Sequence, residues 1–373
     1  MDTSTADLQK NKMKRFHVNE DIQRAYTLDS EFYTSEEAYE QAKEKIFTRT
    51  WQFLGNSDDI SLNGQITPYT LLPGLLDEPV MITRNNQGEV QCLSNVCTHR
   101  GNILIEHKCQ DKSIRCPYHG RRFDIDGTFQ HMPEFEDALD FPSDKDNLPK
   151  VPYGIWENLS FAGILPSMTL NEVLGNMQDR ISFLPFHEFK PEPARSRDYL
   201  VNAHWALYTE NYLEGFHIPF VHANLNAELD YGTYTTELFR YSNLQLALSR
   251  GGEDVFEIPE DHPDFGKSVS AYYFWIFPNM MFNFYPWGLS LNIIRPLGTS
   301  FTKVSFMTYV YDENKLDRGA GAQLDKVEHE DEAIVENVQK GIRSRFYDQG
   351  RYSPSRETGI HHFHRLICEF MNK

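Results

Sequence analysis

Two short loops rich in metal-ligand side chains constrain the fold of this chain more than any other feature. Residues 97–99 read Cys-Thr-His and residues 116–119 read Cys-Pro-Tyr-His, with sixteen residues between them. A thiolate and an imidazole two or three positions apart can face one centre, and two such loops supply a full set of four ligands. The candidate ligands are Cys97, His99, Cys116 and His119.

The order of these four ligands separates two kinds of metal centre. A structural zinc could be held by two cysteines and two histidines, but zinc fingers place a cysteine pair ahead of a histidine pair. Here the pairs are interleaved, and turn glycines follow at Gly101 and Gly120. This pattern favours a [2Fe–2S] cluster with two cysteines on one iron and two histidines on the other. Structural zinc is the alternative, and it predicts a colourless protein.

A second group of metal-ligand residues lies between positions 205 and 222. The spacing predicts a helix over 205–217 that aligns Asn211, Glu214 and His217 along one side. Pro219 cannot continue the helical hydrogen bonds, so we expect a break there to bring His222 beside His217. Two imidazoles and one carboxylate leave coordination positions open, as in non-haem iron(II) oxygenases.

The missing carboxylate is predicted to come from a helix over 325–346. Among the acids of that segment, only Asp331 falls on the expected apolar stripe. A carboxylate that faces a core needs a partner such as a metal ion, so Asp331 is predicted to be the third ligand. The expected stripe comprises Val327, Ile334, Val335, Val338 and Ile342.

Residues 97–101 (Cys-Thr-His-Arg-Gly) and 116–120 (Cys-Pro-Tyr-His-Gly) resemble the Rieske loops of ring-hydroxylating oxygenase large subunits, and the resemblance runs along most of the chain. It implies a [2Fe–2S] cluster, a mononuclear Fe(II) and O2 as co-substrate. The family pattern of an acid, His-x4-His and a distant Asp is matched by Glu214, His217, His222 and Asp331. Asn211 matches a family position near the iron; its alternative role is capping or core hydrogen bonding.

Glu214 stands where members of this family usually carry Asp, which bridges to a cluster-ligand histidine of the neighbouring subunit. The resemblance therefore implies that Glu214 links His217 to His119 of a neighbouring copy. Such a contact requires a ring of subunits, which we expect to be a homotrimer. Glutamate is one methylene longer than aspartate, so the bridge would have a different geometry.

The resemblance implies a terminal oxygenase that inserts one or two oxygen atoms into a small organic substrate. No Gly-x-Gly-x-x-Gly motif is present, so electrons from NAD(P)H are expected from a separate reductase, with or without a ferredoxin. The short chain and residues 211–217 resemble members that act on choline-, betaine- or carnitine-like compounds. Hydroxylation, demethylation or cleavage of a quaternary ammonium compound is thus favoured over aromatic-ring hydroxylation. A Rieske electron carrier without a mononuclear iron is the alternative from another class.

Aromatic residues in two predicted strands, 272–277 and 282–287, are candidates for the substrate pocket. Their faces suit either an aromatic ring or a quaternary ammonium group. The alternative is that they merely fill the core. The candidates are Trp275, Phe277, Phe282, Phe284 and Trp287.

The predicted fold class is α+β, in three segments. Residues 1–45 form an N-terminal helical segment that packs on the catalytic domain. Residues 46–166, with short alternating runs joined by hairpin turns, form a small all-β Rieske domain. Residues 167–373 form a larger α+β catalytic domain, an antiparallel sheet covered by helices in a helix-grip-like arrangement.

Charge and cysteine content exclude several classes of protein. A formal charge of −18 argues against nucleic-acid binding and against anionic membranes. The N-terminus lacks the apolar run of a signal peptide, and five cysteines fit a reducing compartment, so a cytoplasmic location is expected. Two further histidine groups are predicted to be structural: His204 at a helix start, and the run 361–364 on an amphipathic helix.

Overall fold

Helices in this chain are short apart from two near the C-terminus. The computed structural model describes residues 15–222, 232, 234–249, 251, 254–316 and 324–373. The helices in this part are Ser30–Thr34 (α1), Glu36–Lys45 (α2), Leu170–Arg180 (α3), Trp205–Tyr212 (α4), Ile218–Val221 (α5), Leu324–Gly341 (α6) and Thr358–Met371 (α7). None of the described helices is long and apolar enough to cross a membrane.

Strands fall into two groups along the chain, and every described pairing is antiparallel. The N-terminal group comprises Gln52–Asn56 (β1), Gln65–Leu71 (β2), Glu78–Arg84 (β3), Val90–Ser94 (β4), Cys109–Gln110 (β5), Ser113–Arg115 (β6), Arg122–Asp124 (β7), Phe129–His131 (β8), Lys150–Val151 (β9), Tyr153–Trp156 (β10) and Leu159–Ala162 (β11). The C-terminal group comprises Lys190–Pro191 (β12), Arg197–Val201 (β13), Thr235–Leu238 (β14), Ser242–Leu248 (β15), Val269–Ile276 (β16), Met280–Tyr285 (β17), Gly288–Pro296 (β18) and Thr302–Val310 (β19).

The N-terminal strands form three small sheets around a core of their own. The sheet orders are β5-β2-β3-β4-β9, β6-β7-β8 and β1-β11-β10. One predicted ligand loop follows β4 and the other follows β6. Cys97 and Cys116 belong to the same apolar cluster as Leu93, Ile114 and Phe123, so the loops are anchored from beneath.

The C-terminal strands form one large sheet with helices on both faces. Its order is β12-β19-β18-β17-β16-β15-β14, and β13 also pairs with β19. Helices α4 and α7 contact the sheet at β18 and β14, and α6 packs on α4, whereas α3 contacts β15 and β16. Trp275 of β16 meets Phe363 of α7, which identifies the face covered by that helix. The fold class predicted from the sequence is confirmed.

The opposite face of the large sheet receives the N-terminal sheets. Phe282 of β17 lies 6.1 Å, between ring centroids, from Trp156 of β10. Phe284 lies near Phe186, which follows α3. The β-rich N-terminal part therefore packs behind the sheet, away from the face that carries α7. The domain limits at residues 45 and 166 stay predictions.

Helix α6 presents a different face from the one predicted. It ends at Gly341 rather than at Phe346, and Ile334 and Val338 of the expected stripe are 39% and 45% exposed. The residues buried along its inner face are Glu328, Val335, Gln339 and Ile342. These positions follow one another at three, four or seven residues, so the buried face is set by helical periodicity and includes polar side chains.

Candidate metal centres and the adjoining cavity

The two predicted cluster loops have the same backbone turn. In each, the N–H of the glycine four residues beyond the cysteine, Gly101 or Gly120, donates to the cysteine carbonyl, at 3.0 and 3.1 Å. The cysteine N–H donates at 2.8 Å to the carbonyl of Asn102 in one loop and of Arg121 in the other. Both glycines have positive φ, +69° and +75°. The glycine that follows the Cys and His of each loop thus occupies a backbone conformation that other residues rarely adopt.

A third segment fastens both loops from one side. Thr98 Oγ1 donates to the Asp146 carbonyl at 2.8 Å, and Arg121 donates to the same carbonyl at 3.1 Å. Arg121 also forms an ion pair with Asp146 Oδ1 at 2.7 Å, although its side chain is only 2% exposed. Its guanidinium lies 4.7 Å from the ring centre of Phe129. A buried, paired arginine therefore holds the two loops in register.

Of the four predicted cluster ligands, the two cysteines are buried and the two histidines lie nearer the surface. Cys97 and Cys116 are buried, and burial together with the neighbouring Cys116 raises the pKa of the Cys97 thiol. The His99 and His119 rings lie 4.9 Å apart between centroids, and His119 is exposed beside Tyr118. Buried thiols become thiolates only beside a cationic centre. The donor set therefore fits a [2Fe–2S] group with its histidine side toward the surface.

The segment that carries the second group consists of two helices rather than one. Helix α4 ends at Tyr212, so the prediction of a continuous helix to His217 is wrong. The Glu214 carboxylate accepts the backbone N–H groups of Phe216 and His217, the latter at 3.0 Å, and this local bonding replaces helical bonds. Pro219 lies in the first turn of α5, where its missing N–H costs nothing, so it begins a helix instead of ending one.

Three predicted ligands meet beside this short second helix, which has His217 before its first residue and His222 after its last. Asp331 Oδ1 lies 3.5 Å from His217 Nε2 and 2.9 Å from His222 Nε2. One donor atom from each residue lies within 4.8 Å of the other two. Two imidazoles and one carboxylate with further positions open suit a mononuclear non-haem Fe(II). The donor set thus fits the second predicted metal.

A glutamate holds the second ring nitrogen of each of these histidines. Glu214 Oε1 lies 2.6 Å from His217 Nδ1, and Glu330 Oε2 lies 2.8 Å from His222 Nδ1. Burial alone would lower the pKa of His222, but its hydrogen bonds to Asp331 and Glu330 raise it. These contacts orient both rings so that Nε2 faces Asp331. Glu330 was not predicted from the sequence, although its place beside Asp331 was a signal.

A cavity of about 130 Å³ adjoins the three convergent residues. Asn211 lies in its wall, as expected for a residue near the metal, and so does Glu328 of α6. The described lining includes no lysine or arginine. Most of the remaining wall is tyrosine or neutral polar, formed by Tyr208, Tyr212, Tyr234, Tyr273, Tyr285, Gln245, Asn283, Ser290 and Asn292.

The five aromatic residues predicted for the pocket do not line this cavity. Phe282 and Phe284 point to the opposite face of the sheet, because neighbouring strand positions alternate between faces. Trp275 and Phe277 pack against α7, and Trp287 stacks on Tyr285. Tyr273, Asn283 and Tyr285, which occupy alternate positions in the same strands, line the cavity instead. The predicted set is Trp275, Phe277, Phe282, Phe284 and Trp287.

The histidines predicted to be structural lie away from the three convergent residues. His204 precedes α4 and its Nδ1 accepts the Ala206 N–H at 3.3 Å; burial lowers the pKa of His204 to about 3. His364 of α7 is fully buried and lies 3.0 Å from Glu210 and 2.6 Å from the Tyr352 hydroxyl. These groups hold helices together.

Two family profiles match the chain. Residues 186–373 match the ring-hydroxylating alpha subunit catalytic domain, and residues 50–151 match the Rieske [2Fe–2S] domain. The Rieske match decides for the [2Fe–2S] centre over structural zinc. The catalytic-domain match overturns the alternative of an electron carrier without a mononuclear iron.

Curated relatives extend over nearly the whole chain. Choline monooxygenase of Arabidopsis thaliana is 27% identical over 93% of this chain and 83% of its own length. The oxygenase subunit of carnitine monooxygenase from Escherichia coli (strain K12) is 27% identical over 93% of this chain and 94% of its own.

Solved structures share the fold at lower identity. A quaternary ammonium Rieske monooxygenase aligns with a TM-score of 0.74 and 21% identity, covering 94% of this chain and 96% of that one. A naphthalene 1,2-dioxygenase with bound indole aligns with a TM-score of 0.68 and 16% identity, covering 93% and 92%. The Rieske and sheet-and-helix parts therefore recur together in all three proteins.

Proposed function

The chain belongs to the family of ring-hydroxylating oxygenase alpha subunits, and from that membership we propose that it is the oxygenase component that oxidises a small trimethylammonium compound. The names of two curated relatives, a choline monooxygenase and a carnitine monooxygenase subunit, support this substrate class. The product would be a hydroxylated, demethylated or cleaved amine.

The observation that carries this proposal is the wall of the cavity beside His217, His222 and Asp331. Tyrosine rings surround it, and its described lining contains no lysine or arginine that would repel a cation. Aromatic faces attract quaternary ammonium groups through their electron-rich surface. Its volume of about 130 Å³ is also below that of pockets for drug-sized ligands, which favours a small substrate.

Each residue at the site has a separate task. Cys97, His99, Cys116 and His119 would hold the [2Fe–2S] cluster, and His217, His222 and Asp331 would hold the mononuclear iron. When bound, these groups supply single electrons and activate O2 beside the substrate. Glu214 and Glu330 keep the two imidazoles oriented by accepting from Nδ1. Asn211 and the tyrosines shape the space in which the substrate is positioned.

Electrons are proposed to come from a separate NAD(P)H-dependent reductase, with or without a ferredoxin. The absence of a Gly-x-Gly-x-x-Gly motif from the sequence supports this division of labour. The names of the relatives, which describe an oxygenase subunit, are consistent with it.

A homotrimer is proposed in which Glu214 of one copy approaches His119 of the next. Two exposed surfaces support it. Phe216 and Phe220, on either side of His217, are 42% and 81% exposed, and Tyr118 beside His119 is 61% exposed. Aromatic residues exposed next to both metal centres are typical of an interface. In such a ring each site would use the cluster of its neighbour.

Hydroxylation of an aromatic ring is the second candidate function. The shared fold of the naphthalene dioxygenase favours it, and tyrosine faces can stack on a planar ring. Product analysis with both substrate classes separates the two.

The test begins with metal and acid-labile sulfide content of anaerobically purified wild type and His217→Ala. We expect about three irons and two sulfides per chain in the wild type, with one iron lost and the visible cluster kept in the variant. Trimethylammonium compounds should then be oxidised with a reductase, and only by the wild type. Two irons in both proteins would contradict the second site, and turnover of arenes alone would contradict the substrate class.

A further inference from the structure

Glu328 is an acidic side chain buried in the wall of the cavity without a basic partner. It lies on α6 one turn before Asp331 and is 5% exposed. Its two carboxylate oxygens lie 2.8 and 2.7 Å from the Tyr208 hydroxyl. Among the described residues, this hydroxyl is the hydrogen-bond donor to the carboxylate. One hydroxyl proton cannot satisfy two oxygens, so one side of the carboxylate remains available to the cavity.

The charges around Glu328 make this arrangement costly in the empty site. Asp331, Glu332 and Asp325 all add negative potential, and burial together with these acids raises the pKa of Glu328 to about 8 against the opposing effect of Tyr208. A buried carboxylate needs a cation or several donors. Near neutral pH the empty site can avoid this cost by keeping Glu328 protonated, and since the described lining supplies no lysine or arginine, a cation that favours the ionised form would have to enter from outside the wall.

The neighbouring walls are suited to a cation that donates no hydrogen bonds. Tyr212, Tyr234 and Tyr273 line the same cavity as Tyr208. Ring faces attract a trimethylammonium group, but a ring offers less attraction than a full negative charge at the same depth. Aromatic rings alone would also accept a neutral group of the same shape. The Glu328 carboxylate is therefore the feature of the wall that would distinguish a cationic substrate from a neutral one of the same shape.

We propose that Glu328 is the counter-charge that selects cationic substrates in this cavity. The inference rests on the proposed function, because it concerns the substrate of the same site. Glu328 contacts the head group of the substrate and takes no part in holding the metal. Tyr208 donates one hydrogen bond to the carboxylate and limits its orientation.

The test compares each quaternary ammonium compound with a compound of the same shape in which an uncharged carbon replaces the cationic nitrogen. Calorimetric titrations of the anaerobic holoenzyme would use choline against 3,3-dimethylbutan-1-ol, and γ-butyrobetaine against 5,5-dimethylhexanoate. The wild type is expected to bind at least one cation about tenfold or more tightly than its isostere. Glu328→Gln should remove that ratio while changing the affinity for the isostere by less than about twofold. Glu332→Gln, one turn further on the same helix, is the matched control and should keep the wild-type ratio.

A second variant separates charge from packing. Tyr208→Phe keeps the carboxylate but removes the hydroxyl that stabilises its ionised form, so it should lower the preference for the cation without abolishing it. Equal loss in Tyr208→Phe and Glu328→Gln would overturn the inference, since a structural hydrogen bond would then be responsible. Iron content and the visible spectrum, measured on every variant, must match the wild type.

The outcomes also distinguish this inference from the proposed function. A wild type that prefers cations and a Glu328→Gln variant that keeps the preference would overturn the role of Glu328 and leave the substrate class standing. A wild type without preference for either cation would overturn both.

Discussion

The two histidines proposed to hold the mononuclear iron each have Nδ1 held by a carboxylate. Glu214 and Glu330 hold Nδ1, and this leaves Nε2 directed at Asp331. An imidazole held in this way loses less rotational freedom when a metal binds, and a carboxylate on Nδ1 makes Nε2 a stronger donor. Metal affinity should therefore depend on the two glutamates as well as on the ligands.

Replacing Glu330 with alanine should weaken the mononuclear site selectively. We expect iron affinity to fall about 10- to 100-fold, because His222 loses the acceptor at Nδ1, while the cluster spectrum is unchanged. Iron loss to a chelator, followed with time, measures the effect. Glu332→Ala on the same helix should behave as the wild type. Equal iron retention in both variants would contradict the role given to Glu330.

His204 should make the protein sensitive to acid. Burial lowers its pKa to about 3, against an ordinary value of 6.5, so between these values the unfolded chain binds a proton that the folded chain does not. Stability is therefore complete above the unfolded pKa and is lost as pH falls below 6.5. At pH 5.5 the cost is about 1.4 kcal/mol.

His204→Asn keeps a helix-capping side chain and removes the titration. The loss of stability between pH 7.5 and 5.5, measured by urea denaturation, should be smaller in this variant than in the wild type by about 1.4 kcal/mol. His187→Asn, at an exposed histidine, is the control. If His204→Asn lost as much stability between pH 7.5 and 5.5 as the wild type, His204 would not be responsible for the acid sensitivity.

The convergence of His217, His222 and Asp331 could be predicted from the sequence, but the residues that support them could not. Asp331 was identifiable because it was the one acid on a face expected to be buried, although that face was partly wrong. Glu328 and Glu330 lie three positions and one position before Asp331. Only the packing of α6 on α4 shows that both side chains turn inward. Whether an acid is buried beside a tyrosine from another helix depends on tertiary packing, which the spacing of residues in the sequence does not reveal.

At the scale of elements, the loop that ends at Asp146 decides how firmly the cluster loops are held. It contacts one loop through Thr98 and the other through Arg121. The Thr98 contact ends on the Asp146 carbonyl, whereas Arg121 binds both that carbonyl and the carboxylate, so a side-chain substitution at Asp146 directly loosens only the loop that carries Arg121.

Asp146→Ala should destabilise the Rieske part while sparing the catalytic part. Arg121 would become a buried charge without its partner, which costs about 3–5 kcal/mol. Loss of the visible cluster absorption during heating should begin at a lower temperature, with iron at the mononuclear site retained longer. Asp144→Ala, two residues earlier and exposed, is the control. Simultaneous loss of both metals in Asp146→Ala would contradict a local effect.

Element types were easier to predict than the faces they present. Turn residues and alternating runs indicated the antiparallel strands, and the large sheet is where they were expected. The pocket prediction was wrong because an aromatic run such as 282–287 offers both faces of a strand, and sequence alone does not show which face meets α4. The break after Tyr212 was missed because it depends on a carboxylate that bonds to its own backbone, not on proline.

For the whole molecule, each of the two candidate metal centres has exposed aromatic residues beside it. Phe216 and Phe220 flank His217, and Tyr118 lies beside His119. These residues give each copy two surfaces that a neighbour could cover in the proposed homotrimer, and the proposed electron transfer between copies would cross that contact.

Mixed assemblies should test that transfer. His119→Ala and His217→Ala proteins should each be inactive alone, the one without an intact cluster ligand and the other without a mononuclear ligand. Co-expressed with different affinity tags and purified by both, the mixed trimers should regain about one third of the wild-type rate, because one of the three interfaces in each ring has an intact donor and acceptor. Proteins mixed after separate purification, without subunit exchange, are the control. No recovery in the co-expressed sample would indicate transfer within a single chain.

Helix α6 contributes Glu328 to the cavity wall, Glu330 to the orientation of His222 and Asp331 to the three convergent residues. Four consecutive positions therefore serve three tasks on one helix, so a change that shifts the helix backbone should alter all three tasks together. Changes of substrate preference should accumulate on the sheet instead, at Gln245, Tyr273 and Asn283, where side chains reach the same space from a separate scaffold. A library aimed at new substrates would do best to leave the helix untouched and vary the strands.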